Sequence, residues 1–412
     1  MVQCLPLIAI PRRSRSLILV VLIALIVTIF HFTGDISTST RHEDAALELL
    51  EPDNGEILLV SAYFPESRSR LAYENSVKRF SRFLGQVSTD IYFYTSPDFV
   101  PTIQFLRGHL PISINTTFES PFDISVLGSR RGDYLSMANN TSGADENPPD
   151  TIIASAHAFS NAKPYLLAEA IRTTQALYTK SYKYAFWIDA DSFDADHGFK
   201  HWPSLGRLDE VWTDGRRESG ARLEDMVFIP MWDLPKVDFL LWKEERGPIG
   251  EDFSQESLFG GMSKSILWLE RYYYAYLNHY LNEGFLSAGK GEALMNSLLL
   301  LHPENFITVW HGDPAAPSAV YNPANSFRND SELILGDCGN PRHYYQFFLA
   351  SSAERDANRE IWDSAWNWKF WELEKWTRIR ESCRLTKILA IQWTLRRRFG
   401  EMWRSPAQSV AF

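Results

Sequence analysis

Tyr184-Ala185-Phe186-Trp187-Ile188-Asp189-Ala190-Asp191 is a run of five apolar residues leading straight into two aspartates spaced i, i+2. An apolar run of this length suits a strand buried on both faces, as in a parallel sheet. Side chains alternate along a strand, so Asp189 and Asp191 project to the same side at its carboxyl end. In an open α/β sheet that end is where ligands bind. Two hard oxygen donors there suit Mg²⁺ or Mn²⁺ held against a diphosphate. The plainer reading is two acids solvating a strand terminus.

Working outward, the residues before this strand read as a helix from Lys163 to Tyr182. Pro164 lies near its start, and Leu167, Ala170, Ile171, Thr174 and Leu177 mark one face. Further upstream, Ile57 to Tyr63 is a buried-strand pattern, Leu71 to Leu84 has helical spacing, and Asp90 to Tyr94 is a second strand. That order is a βαβ unit. Residues 115–150 are rich in Ser, Asn, Gly and Pro and read as a surface insertion, with Arg131-Gly132-Asp133 a chance tripeptide. Downstream come a strand from Met226 to Met231, Leu258-Phe259-Gly260-Gly261-Met262, an aromatic helix from Ser263 to Asn282, a helix from Glu292 to Leu301 and a strand from Phe306 to Trp310. The expectation is an α/β domain over 57–350 and a helical extension over 351–412. In the extension, Trp362, Trp366, Trp368, Trp371 and Trp376 follow a helical pattern, and Arg396-Arg397-Arg398 comes later. Such an end either lies on a membrane face or packs on the domain through its tryptophans; packing is the expected outcome.

Composition bounds the rest. In 412 residues, 45% hydrophobic and 14% aromatic content supports a real core. A net charge of −10 argues against nucleic acid as the partner. Three cysteines, Cys4, Cys338 and Cys383, make neither a zinc framework nor a disulfide scaffold. Cys338 and Cys383 are left as either one bridge or two buried thiols. Arg12, Arg13 and Arg15 precede an uncharged run from Leu17 to Phe32. Its sixteen residues cover about 24 Å as a helix, short for the roughly 30 Å hydrocarbon core. A cleaved signal peptide competes, but no small-x-small cleavage site follows. The expectation is a cytosolic tail (1–16), a single-pass type II anchor (17–33) in the thin membranes of the ER or Golgi, a stem (34–56) and a lumenal domain. Sequons at Asn115, Asn139, Asn140 and Asn329 support the lumenal side.

Further residues bear on the chemistry. His311, after the last strand, brings an imidazole, and Gly312 beside it lets backbone approach a bound group. Two Asp oxygens and one His nitrogen suit Mn²⁺, leaving positions for phosphate oxygens. As a Lewis acid it would neutralise a departing diphosphate. Gly260 and Gly261, ahead of a helix, are either N–H donors to an anion or sugar hydroxyl, or a tight turn. Glu292 either favours a helix dipole or orients and deprotonates an acceptor hydroxyl. Asn161 and Lys163 are candidates for the donor's phosphates; Lys163 is equally read as a solvated charge.

Asn161-Ala162-Lys163-Pro164-Tyr165-Leu166-Leu167, Phe186-Trp187-Ile188-Asp189-Ala190, Phe259-Gly260-Gly261 and Gly291-Glu292-Ala293-Leu294 together resemble the HtrL/YibB family over about 58–313. That family is assigned to nucleotide-diphospho-sugar transferases of the GT-A fold, and its bacterial members are linked to surface-polysaccharide synthesis. The resemblance implies a mixed, mostly parallel sheet flanked by helices. It also implies transfer from a nucleotide-sugar donor to a glycan, protein or lipid acceptor. Many members carry Gly where this chain has Asp191, so the full Asp-x-Asp points to metal use here and away from the bacterial substrates. The expected roles are Asp191 on Mn²⁺ (or Mg²⁺) and in catalysis, Asp189 on the metal or the donor ribose, His311 completing the coordination, and Glu292 as acceptor-side acid or base. Competing readings are a lectin or complex partner without turnover, and a phosphohydrolase, whose two-metal clusters the scattered histidines do not supply.

Overall fold

The structure, a computed structural model, describes residues 54–65, 70–141, 149–178, 180–313, 316, 335–367 and 382–410. The expected tail, anchor and most of the stem lie outside them, as do the sequon at Asn329 and Trp368, Trp371 and Trp376. Among the described residues no helix is long and apolar enough to cross a membrane.

The strands are β1 (Ile57–Tyr63), β2 (Asp90–Thr95), β3 (Ile112–Asn115), β4 (Tyr184–Ile188), β5 (Val227–Phe228), β6 (Leu258–Gly261), β7 (Phe306–Thr308) and β8 (Leu389–Ala390). They form one sheet in the order β3-β2-β1-β4-β6-β5-β7-β8. Pairing is parallel from β3 through β4 and between β5 and β7, while β6 runs against both neighbours and β8 against β7. The sheet is therefore mixed and mostly parallel. Its central strands are apolar without alternation because both faces are covered. Leu58, Val60, Ala185 and Trp187 enter one core; Ile57, Leu59, Phe186 and Ile188 enter the other.

The helices that cover these faces are α1 (Arg70–Gln86), α2 (Val100–Arg107), α3 (Arg131–Thr141), α4 (Asp150–Tyr178), α5 (Leu205–Ser219), α6 (Ser263–Asn282), α7 (Gly291–Leu301), α8 (Ser352–Asn367) and α9 (Ile391–Phe399). Leu166 and Leu167 of α4, Leu269 and Tyr273 of α6 and Leu294 of α7 pack on the Trp187 face. Phe80 and Phe83 of α1 and Leu208 of α5 pack on the Phe186 face. Local signals set α5: the Ser204 hydroxyl accepts from the Arg207 N–H, and Gly220 closes the helix at φ 75°.

Several boundaries differ from expectation. Helix α4 begins at Asp150, not Lys163, so Pro164 lies inside it and leaves the Ser160 carbonyl without its i+4 donor. The polar stretch 115–150 is no plain insertion: Tyr134, Met137 and Ala138 of α3 are buried against α4. Polar residues there mark the outer face of a helix whose few apolar ones suffice to dock it. The Met226 to Met231 pattern gives only Val227–Phe228 as ladder, because Pro230 has no N–H to donate; Met231 pairs singly with Ser254 and Trp310. In the extension, Leu389–Ala390 joins the sheet edge, and Ile391, Leu395, Phe399 and Trp403 enter the Trp187-face core. Trp362 stacks near Phe347, whereas Trp393 stays half exposed. Cys338 and Cys383 are disulfide-bonded.

Candidate active site

Strand order reverses at β1. The chain goes from β1 outward to β2 and β3, then returns to place β4 on the other side of β1. In open α/β sheets such a reversal is where loops leave neighbouring strand ends in opposite directions and a ligand crevice forms. Tyr63 ends β1 there, and Asp189 and Asp191 follow β4.

Trp187 and Asp189 point to one side, and the indole N–H donates to Asp189 Oδ1 at 2.6 Å. From α4, the buried Lys163 ammonium donates to Asp189 Oδ2 at 3.0 Å and lies 3.6 Å from Glu256. Burial works against the ammonium, yet Asp189 and Glu256 together raise the Lys163 pKa above an ordinary lysine's, so it stays charged. Burial also pushes Asp189 upward, countered by Lys163 and the indole. The Asp189 N–H donates to Ser257 O at 2.9 Å and the Ser192 N–H to Asp189 O at 3.0 Å, fixing the turn that presents Asp191.

Asp191 is about half exposed, and its recorded ion partner is the equally exposed Arg79 of α1 at 3.6 Å. A surface pair of this kind is worth at most about 1 kcal/mol. Stripping Lys163 from its two partly buried carboxylates would cost about 3–5 kcal/mol. Asp189 is thus committed to bracing, and Asp191 is the carboxylate free to be recruited.

Glu256, which carried no signal in the sequence, links this centre to a second group of carboxyls. It accepts from the Ser160 hydroxyl at 2.7 Å, beside the ladder gap opened by Pro164. A Cβ on Gly291 would collide with that hydroxyl and sit 3.1 Å from Glu256 Oε2, so only glycine lets α7 start this close. One residue on, Glu292 faces Asp252. Asp252 also accepts from the Trp232 indole at 2.7 Å and from Arg342 at 3.2 Å. Burial first, then Asp252, push the Glu292 carboxyl well above its usual range; burial also works to raise Asp252, but Glu292, Trp232 and Arg342 together hold it below its own. Glu292 therefore keeps its proton near neutral pH, which makes it a hydrogen-bond donor or acid there rather than a base.

Other expected site residues fall elsewhere. Asn161 is fully buried, donating to Gly289 O at 2.5 Å and accepting from the Tyr273 hydroxyl at 2.6 Å. It braces the loop before α7, with both ends of its amide engaged there rather than turned to solvent. Gly260 and Gly261 form neither a turn nor an anion cradle. Both lie inside β6, where a Cβ on Gly260 would strike the Phe186 ring and come 2.5 Å from Ala185 O, and one on Gly261 would come 2.7 Å from Met226 O. Lys163 is a buried ion-pair member, not a solvated charge.

His311 is buried, its ring edge-on to Tyr344 at 5.2 Å, and burial lowers its pKa. Among the described residues, no three His, Cys, Asp or Glu side chains are grouped to hold a metal, so Asp189, Asp191 and His311 do not make a ready cage. Single donors among them still suit a hard divalent ion. The Asp191 carboxylate is open, the buried His311 Nε2 has no hydrogen-bond partner, and Asp189, Asp191 and Glu256 outnumber the one buried ammonium. Mg²⁺ in particular is commonly bound through one or two carboxylates, with waters and substrate phosphates filling the rest.

No protein-family model matches the chain, and no curated protein is similar to it, so the likeness to HtrL/YibB rests on the motifs quoted above. Solved structures of similar backbone include mouse xyloside xylosyltransferase 1 in its apo form, with TM-score 0.34 and 9% identity over 66% of this chain and 90% of that one. Another is core-mannan synthase A from Aspergillus fumigatus in its Mn/GDP form, with TM-score 0.37 and 10% identity over 63% of this chain and 73% of that one. At that level of likeness neither assigns an activity to this chain.

Proposed function

We propose that the chain is a GT-A-type glycosyltransferase that takes a nucleotide-sugar donor at the carboxyl ends of β1 and β4. The observation that carries this reading is the braced Asp189 beside an exposed Asp191 at the point where strand order reverses. Asp191, with His311 as a further donor, would hold Mn²⁺ or Mg²⁺, which when bound neutralises the charge of a diphosphate leaving group. Lys163 and Trp187 fix the Asp189 carboxylate, leaving its remaining lone pairs for the donor ribose. With a cation on Asp191, the Arg79 guanidinium now paired with it would be available to phosphate oxygens. Asp252 and Glu292 stand on the acceptor side, joined to the donor side through Glu256 and Lys163.

The secretory-pathway lumen, ER or Golgi, is the compartment proposed, with a type II anchor in residues 17–33. The Cys338–Cys383 bridge supports an oxidising compartment, and the basic-then-apolar N-terminus supports the anchor. The test is donor hydrolysis by the purified protein with Mn²⁺ across a panel of nucleotide sugars. Turnover of at least one, lost on chelation, is expected; no turnover and no metal-dependent nucleotide binding would overturn the reading.

A further inference from the structure

The acceptor side carries more information than its position. Asp252 lies on the stretch that crosses Trp232: the Trp232 N–H donates to Phe253 O at 3.1 Å, and Met231 pairs with Ser254. One turn of α7 holds that stretch, since Asn296 donates to Glu251 O and accepts from the Ser254 hydroxyl at 2.6 Å. Glu292 is four residues before Asn296, on the same helix face, and so is delivered to Asp252. Arg342 closes the other side, donating to Asp252 and lying 4.3 Å over the Trp232 ring. Asp252 and Arg342 are both about half exposed, so the group opens to solvent.

The two carboxyls are chemically unequal. An ionised carboxylate only accepts hydrogen bonds, and a protonated one also donates. Each sugar hydroxyl does both, so adjacent hydroxyls are matched by one carboxyl of each kind. A serine or threonine hydroxyl can also donate to one carboxyl and accept from the other, but it brings no neighbouring hydroxyl for the remaining carboxyl oxygens.

We propose that Asp252 and Glu292 together grip neighbouring hydroxyls of a glycan acceptor, with Arg342 and Trp232 holding Asp252 in place. This rests on the glycosyltransferase reading and names its acceptor as a carbohydrate rather than a protein side chain. The groups facing the pair are Arg342, which holds Asp252 ionised, and Glu256, which with Asp252 keeps the proton on Glu292.

The test uses the full chain and a panel of methyl glucoside, methyl galactoside and methyl mannoside beside a serine-containing peptide, with binding read by saturation-transfer NMR and titration calorimetry. At least one glycoside is expected to bind at neutral pH, and Asp252→Asn and Glu292→Ala should each weaken it at least tenfold. Affinity should fall as pH rises above neutral, because loss of the Glu292 proton removes the donor and sets two anions together. Glu292→Gln, which keeps a donor there but cannot titrate, should flatten that pH dependence. Mn²⁺-dependent nucleotide binding, measured on the same preparations, reports separately on the donor site and on folding. The proposal is overturned if no glycoside binds, if the peptide binds instead, or if the variants leave glycoside affinity and its pH profile unchanged while nucleotide binding persists.

Discussion

Lys163 shows how much one side chain can decide. Its ammonium is buried between Asp189 and Glu256, so it ties the two carboxylates into one electrostatic unit. Lys163→Met keeps the length and removes the charge, leaving two partly buried carboxylates unpaired. Urea unfolding should show a loss of about 3–5 kcal/mol; a change under about 1 kcal/mol would place Lys163 among ordinary solvated lysines. The sequence offered both that bland reading and a phosphate-contact reading, and its burial between two carboxylates sets aside the bland one. A helix pattern shows which face Lys163 is on, not that Glu256, 93 residues later, lies against it. Asp189 was legible from alternation along β4, whereas Asp191 departs from it: the strand ends at Ile188, and Asp191 stands in the turn closed by the Ser192 N–H on Asp189 O, paired with Arg79 on the other face from Lys163. Their difference in role was not legible, because the Trp187 indole and the Arg79 guanidinium create it.

Elements whose signals are periodic emerged with nearly correct bounds: β1, β4, α6 and α7 start and end within a residue or two of the pattern. The misreadings share a cause, since a Gly, a Pro or a polar stretch reports local freedom and not what packs against it. Gly260 and Gly261 looked like punctuation before a helix, yet they are the last two ladder residues of β6, where the Phe186 ring and neighbouring carbonyls leave no room for a Cβ. Gly260→Ala should therefore destabilise the protein by about 3 kcal/mol, the upper range for overpacking, because the Ala185 carbonyl cannot give way. Near-wild-type stability on denaturant unfolding would mean β6 is not packed as described. Pro164 likewise looked like a helix start and instead interrupts a long helix where it faces the site.

At the scale of the whole molecule, the βαβ start and the parallel character of the sheet could be read from the order of elements. The reversal of β6 and the return of the chain end as β8 could not, since both are set by long-range pairing. The same packing makes the molecule acid-sensitive. His302 is buried among Trp268, Tyr272 and Tyr276, and burial lowers its pKa to about 4. The folded protein keeps this imidazole neutral while the unfolded chain takes a proton below about 6.5. Its contribution is thus intact above 6.5 and is lost as pH falls towards 4, by up to about 3 kcal/mol. His302→Phe should reduce the fall in stability between pH 6.5 and 4; an unchanged pH profile would show that His302 is not the titrating group. The central claim, a donor site built on Asp191 at the β1–β4 crevice, is tested most directly by calorimetric titration of the protein with UDP and GDP, with and without Mn²⁺. The account predicts binding of at least one nucleotide that requires the metal. It should fall by at least on the order of ten- to hundredfold in Asp191→Asn while the circular dichroism and unfolding midpoint of that variant stay unchanged. Nucleotide binding that is indifferent to Mn²⁺, or equally strong in Asp191→Asn, would contradict it.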